Sequence, residues 1–201
     1  VIWANPGEVL ADPDVASMYP SFIVNYGVSP HHLSSKVFLG IVEWLRTTRL
    51  DAKHNGRKLE ADALKIVINR IYGALNDAMD YLYDPECTYT VTINLQLLLC
   101  NLIESFELNG FDVLSANTDG LLIRRPNDRL DLFNHICKEW ENYSKLSLDT
   151  EVFEKYCRSA VNDYIAVGYG FYDALQEYNR CGVWIDSKGN TYTTRQAIED
   201  K

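Results

Sequence analysis

The chain has 201 residues, 47% of them hydrophobic, and a formal net charge of −9. That much apolar material supports one sizeable core and excludes a disordered chain. The acidic balance excludes tight nucleic-acid binding by this stretch alone, because neutralising phosphates takes Lys and Arg.

Residues 8–14 read as a strand, and residues 17–26 as a turn leading into a short helix. Gly27, Val28, Ser29 and Pro30 form a breaker. From residue 35 to about 53 the spacing of Val37, Ile41, Trp44 and Leu45 predicts a helix. His54, Asn55 and Gly56 make a tight turn, and residues 58–76 predict a second helix, so the two form a helical hairpin. Asp84 and Pro85 mark a loop, followed by an apolar helix over 89–108 that ends on Asn109 and Gly110. Residues 111–115 and 121–125 are strands flanking Asn117, Thr118, Asp119 and Gly120, a hairpin turn by composition. Residues 126–128 open a helix running to about 144. Further strands are expected over 150–160 and 164–167, and a turn at 187–190. Strand hairpins with helices to one side give an α+β layer architecture.

The five cysteines, Cys87, Cys100, Cys137, Cys157 and Cys181, are odd in number and never spaced C-x-x-C. Reduced thiols are the reading, not a disulfide framework or zinc site. The longest apolar stretch, 97–103, is interrupted by Asn101 and followed by Glu104, too short to cross a membrane. A soluble, intracellular protein with no membrane partner is expected. The chain begins without methionine and enters a hydrophobic strand almost at once, which reads as an excerpt of a longer protein.

Two carboxylates carry the chemistry. Asp14 ends the first predicted strand and Asp119 sits in the hairpin turn. On neighbouring strands they would share one spot, and magnesium takes oxygen ligands, often one or two carboxylates with substrate phosphates completing the shell. The plainer reading is two ordinary turn aspartates. On the helical hairpin, Arg49 and Lys53 share one face of the first helix, and Lys65 and Asn69 one face of the second, with Tyr72 and Gly73 a turn later. Three cations and an amide suit a triphosphate. Alternatively this is a solvated face whose cations pair with Glu43, Asp51, Glu60 and Asp62.

These segments together resemble the family B DNA polymerases. Asp14 to Ser21 resembles the D-x-x-S-L-Y-P-S motif, with Met18 for leucine. Lys65 to Gly73 resembles K-x-x-x-N-S-x-Y-G, with Arg70 for serine, and Asn117 to Gly120 resembles D-T-D-S. Arg49 and Lys53 fit R-x-x-x-K, and Val161 to Tyr164 resembles the K-x-Y element. The motifs stand in the family's order over about residues 8–168, and the short hairpin suggests a viral or phage-like branch, with the host cytoplasm as its location.

The resemblance implies an antiparallel palm sheet backed by helices, with an inserted helical-hairpin fingers subdomain. The palm would be residues 1–33 and 80–168, the fingers 34–79, and residues 169–201 the end of the palm and start of the thumb side. It implies a DNA-dependent DNA polymerase using two magnesium ions, or manganese, held by Asp14, Asp119 and the backbone carbonyl of Val15. Ser17, Met18, Tyr19, Arg49, Lys53, Lys65 and Asn69 would bind the dNTP, with the Tyr19 ring under the sugar rejecting a 2′-hydroxyl. Tyr72 and Gly73 would lie by the nascent base pair. Thr118 and Tyr164 would contact the primer. Primer-template DNA and the remaining exonuclease and thumb domains would be the partners. Asn117 for aspartate, Gly120 for serine and Asn162 for lysine depart from the pattern. A reverse transcriptase would explain two aspartates but not the cation-bearing helices. Asn117 motivates a second alternative, a degenerate palm that binds nucleotide or a partner.

Two decoys stand apart. Asp149-Thr150-Glu151 has the D-x-E shape of an exonuclease motif but follows the palm motif, so it reads as a strand with solvent-facing acids. His31 and His32 have no third ligand in view and read as a loop pair.

Overall fold

The computed structural model describes residues 2–160, 163–168, 183–185 and 191–193. In chain order the elements are β1 (Ile2–Trp3), β2 (Glu8–Val15), α1 (Met18–Tyr26), α2 (Ser35–His54), α3 (Lys58–Leu75), α4 (Pro85–Leu108), β3 (Asp112–Asn117), β4 (Gly120–Pro126), a 3-10 turn (Asn127–Arg129), α5 (Leu130–Ser144), β5 (Leu148–Ala160), β6 (Asp163–Gly168), β7 (Val183–Ile185) and β8 (Thr191–Thr193). The predicted α+β class holds. The main sheet runs β1-β5-β2-β4-β3, with β6 added to β5, and its registered pairs are antiparallel.

The chain divides into two compact units. The first comprises Val1–Asp14, Phe106–His135 and Thr150–Lys201; the second comprises Val15–Ser105 and Ile136–Asp149. In the first, β2 is buried on both faces through Val9, Leu10 and Ala11, as a central strand must be. Leu10, Leu122, Phe153 and Tyr156 form one apolar cluster. Phe106, Phe111 and Phe133 form another, with ring centroids 5.0 to 6.1 Å apart, and the Arg125 guanidinium lies 5.7 Å over Phe133. Arg124 crosses the strands, donating to the Trp3 carbonyl and pairing with Glu8 and Asp112.

In the second unit the helical hairpin forms as predicted, but of the four apolar residues that signal α2 only Leu45 is buried. Phe38, Val42 and Leu45 are buried, whereas Val37, Ile41 and Trp44 are exposed. Both stripes are apolar and lie about 100° apart on the helix, so periodicity finds the helix without choosing its inner side. Helix α4 also begins earlier than expected. Asp84 and Pro85 are its start, because Asp84 Oδ1 accepts the Cys87 amide at 3.1 Å and Pro85 fills the first position, where no N–H is needed. By length and mean hydropathy, 1.2, α4 is the one helix among the described residues that passes for a membrane span. One such helix of marginal hydropathy does not point to a membrane protein, and Val91, Leu95, Leu102 and Phe106 are buried while Tyr89, Ile93 and Leu97 are exposed.

Among the described residues Cys87, Cys100, Cys137 and Cys157 are free thiols. Burial first, then neighbouring carboxylates, pushes Cys87 up to about 11 and Cys137 up to about 12, so both stay protonated and inert. Cys181 and the turn at 187–190 lie outside the described residues.

Candidate functional site

The strand register brings the two singled-out aspartates to one edge of the first unit. β2 and β4 pair with Asp14 opposite Gly120. β3 and β4 pair up to Asn117 opposite Gly120, so Thr118 and Asp119 form a two-residue hairpin loop. Thr118 takes a left-handed φ of 36° there, and its hydroxyl donates to Asn117 Oδ1 at 3.3 Å. Asp14 is exposed at the strand end; Asp119 is partly buried.

A third carboxylate joins them. Asp12 lies two residues before Asp14 and so faces the same side of β2. Burial, then the charges of Glu151 and Asp119, pushes its carboxyl up to about 6. The i, i+2 alternation would have found Asp12, but it lies outside the recognised motif. Glu151, read as a solvent-facing strand acid, is exposed on β5 and contributes to this negative field. The donors are all carboxylates, which fits a hard divalent cation, and a cation would offset the mutual repulsion that adds to burial in raising Asp12. Among the described residues no group of three His, Cys, Asp or Glu side chains is close enough to hold a metal by itself. A cation here would rely on fewer protein ligands.

Gly120 has a reason of its own. A Cβ at this position would lie 3.1 Å from Asp14 Oδ1, 3.5 Å from Asp12 Oδ1 and 3.5 Å from the Pro13 carbonyl oxygen. The first contact is too tight, and the carboxylate end of Asp14 yields more easily than the strand. Gly120→Ala is therefore expected to cost under about 1 kcal/mol of stability while displacing Asp14. Magnesium titrations followed by thermal unfolding should need several-fold more metal in the variant. An unchanged titration would show that Asp14 tolerates the methyl group.

The second set of residues lies in the second unit. Ser17 precedes α1 in a left-handed conformation, φ 49° and ψ 49°, and its side chain does not cap the helix. A non-glycine residue held there costs on the order of 1 kcal/mol. Its hydroxyl instead accepts from Arg49 Nη1 at 2.6 Å. The Ser17 side chain therefore leaves the N-terminus of α1 uncapped, and a helix N-terminus favours an anion. Arg49 Nε is buried with no hydrogen-bond partner, so this guanidinium has a donor to spare.

Three of the four acids on the hairpin are already engaged with other arginines. Glu43 pairs with Arg46, and Asp51 and Glu60 both pair with Arg57. Lys53, Lys65 and Asn69 are exposed, and no ion pair reaches either lysine among the described residues. Glu43, Asp51 and Glu60 thus pair with Arg46 and Arg57 rather than with these lysines, whose exposure is that of a solvated face.

Tyr72 stacks on Tyr19, with ring centroids 4.1 Å apart. Gly73 is exposed. Arg70 pairs with Asp77 and Asp80, which staples the loop after α3. His31 binds Asp84 through its backbone amide and Nδ1, each at 2.9 Å, and His32 Nε2 lies 2.8 Å from the Tyr81 carbonyl oxygen. Both histidines are structural fasteners. Tyr164 lies on β6 opposite Arg158; Val161 and Asn162 lie outside the described residues.

Comparison with known proteins gives a consistent class. No family model matches the chain. DNA polymerase II of Escherichia coli (strain K12) is 26% identical over 116 residues, covering 58% of this chain and 14% of that protein. A DNA polymerase of Desulfurococcus sp. (strain Tok) is 28% identical over 163 residues, covering 65% of this chain and 21% of the relative. A DNA polymerase of Pyrococcus glycovorans is 27% identical over 177 residues, covering 70% and 22%. The chain is thus similar to a region of DNA polymerases, and the likeness is to those of family B. It spans between 14% and 22% of the length of these curated relatives.

Proposed function

We propose that this chain carries the palm and fingers of a DNA-dependent DNA polymerase and adds dNTPs to a primer 3′-hydroxyl. The observation that carries this reading is the β2–β4 register, with Asp14 opposite Gly120 and Asp119 in the adjoining loop. Asp14, Asp119 and the Val15 carbonyl would hold magnesium or manganese. The bound ions would supply activation of the primer hydroxyl and charge stabilisation at the leaving pyrophosphate.

The remaining roles fall to the chain's own groups. Arg49, with Nε unused, would fork onto triphosphate oxygens while Lys53 and Lys65 act as point charges and Asn69 donates its amide. The backbone amides of Ser17 and Met18 would meet the β and γ phosphates. Tyr19 would lie under the sugar, Tyr72 and Gly73 by the nascent base pair, and Thr118 and Tyr164 along the primer. The net charge of −9 supports a division of labour in which other domains grip primer-template DNA.

The reading is tested by magnesium-dependent, template-directed primer extension with the protein at the full length of its reading frame. Tyr19→Ala should admit ribonucleotides and lower the dNTP-to-rNTP ratio of kcat/KM on the order of 10- to 100-fold. An unchanged ratio would remove Tyr19 from sugar selection.

A further inference from the structure

The ring of Tyr19 does not stand alone. It stacks on Tyr72 at 4.1 Å between centroids, with 26° between planes. Tyr72 Oη lies 2.6 Å from Thr92 Oγ1 on α4, and Thr92 Oγ1 donates to the Thr88 carbonyl oxygen at 2.8 Å. A threonine hydroxyl has one proton. With that proton committed to Thr88, Thr92 offers lone pairs and the Tyr72 phenol is the donor. Three helices are thereby linked in series: α1 through Tyr19, α3 through Tyr72 and α4 through Thr92.

We propose that Thr92 is a positioning residue for sugar selection, acting on Tyr19 through Tyr72. The inference rests on the reading of Tyr19 as the ring beneath the nucleotide sugar. A ring excludes a hydroxyl only if it cannot retreat, and displacements of about 1 Å decide such discrimination. Behind Tyr19 stands Tyr72, and a tyrosine ring is free to swing between rotamers unless its far end is held. Thr92 holds that end. Its own hydroxyl is oriented by the Thr88 carbonyl one turn earlier, so the anchor is a rigid helix rather than a loop. α3 also carries Lys65 and Asn69, so the helix that supports the ring is the one proposed to meet the triphosphate.

The test compares wild type, Thr92→Val, Thr92→Ser and Tyr19→Ala in single-nucleotide incorporation of dATP and ATP opposite the same template base, using the full-length protein. Valine keeps the shape and removes the hydroxyl; serine keeps the hydroxyl. Thr92→Val is expected to lower the dATP-to-ATP ratio of kcat/KM about threefold to tenfold, the range one net hydrogen bond spans, chiefly by raising use of ATP. Thr92→Ser is expected to restore the ratio. Equilibrium binding of dATP and ATP gives the ground-state counterpart of this ratio without turnover and is expected to shift in the same direction, so a protein that binds but does not extend still decides the question. A wild-type ratio in Thr92→Val beside a relaxed one in Tyr19→Ala would overturn the role of Thr92 and leave Tyr19 as the sugar-selecting ring. A serine variant that behaves like valine would show that packing, not the hydroxyl, is at work, and would also overturn it. An unchanged ratio in Tyr19→Ala would end the sugar-selection reading and this inference with it.

Discussion

Asp119→Asn should abolish primer extension, with a loss on the order of a thousandfold in kcat. The substitution keeps the shape of the side chain and its fit to the hairpin loop but removes the negative charge. Stabilising charge on a transferring phosphoryl group through a bound cation is a matter of several kcal/mol, and each 1.4 kcal/mol is about tenfold in rate. The measurement is single-turnover extension at saturating magnesium, wild type beside the variant. Retention of activity within about tenfold would remove Asp119 from the chemistry. A wild type without extension would turn attention to nucleotide or partner binding. A companion readout needs neither metal nor DNA. The Asp119 charge helps push the Asp12 carboxyl up to about 6, so Asp119→Asn should let Asp12 titrate at lower pH, as followed by carboxyl NMR. That shift would certify that the variant is folded and that the two groups are neighbours.

The largest stability effect is expected at Asp84, which is not among the proposed site residues. Its side chain is 8% exposed and accepts from the His31 amide, His31 Nδ1 and the Cys87 amide. Its backbone amide donates to the Leu75 carbonyl, and its carbonyl accepts from Thr88. One residue thus fastens the loop after α1 to the end of α3 and the start of α4. Asp84→Ala removes the helix cap and strands two backbone donors, for an expected loss of about 3 kcal/mol in urea unfolding. A loss below about 1 kcal/mol would show that water replaces the carboxylate.

The loss should depend on pH. Burial alone would raise the Asp84 carboxyl, but the hydrogen bonds from His31 and Cys87 and the His31 charge outweigh it and hold the group well below its usual 3.8. A depressed carboxylate stabilises the fold fully above that value, and the contribution disappears as pH falls below it. His31 is shifted the other way, raised above 6.5 by its hydrogen bond to Asp84 and then by the charges of Asp84 and Glu86. Its ionic share is complete below 6.5 and fades as pH rises through the higher value. The difference between wild type and Asp84→Ala should therefore be greatest between about pH 4 and pH 6.5 and smaller in alkali.

The sequence determined the local elements because their causes repeat at short range. The hairpin of α2 and α3, the turn at Asn55 and Gly56 and the β3–β4 hairpin follow from apolar spacing and turn chemistry within a few residues. Asp14, Asp119, Arg49 and Lys65 were legible as candidates because each stands at a fixed place on such an element, whereas Tyr19 became one only through the family resemblance. The start of α4 was missed although Asp84 followed by Pro85 is a local signal, because the same pair also marks loops.

Only the tertiary structure decided what depends on residues far apart in the chain. It chose Phe38, Val42 and Leu45 over Val37, Ile41 and Trp44 as the inner face of α2. It set Asp14 opposite Gly120, so that a Cβ there would press on the movable end of the Asp14 side chain. It gave Arg49 to Ser17 and three of the hairpin's acids to Arg46 and Arg57. It placed Tyr72 between Tyr19 and Thr92. A periodic pattern gives the direction of a side chain relative to its own helix or strand, whereas a partner from another element is fixed by packing and register across the whole fold.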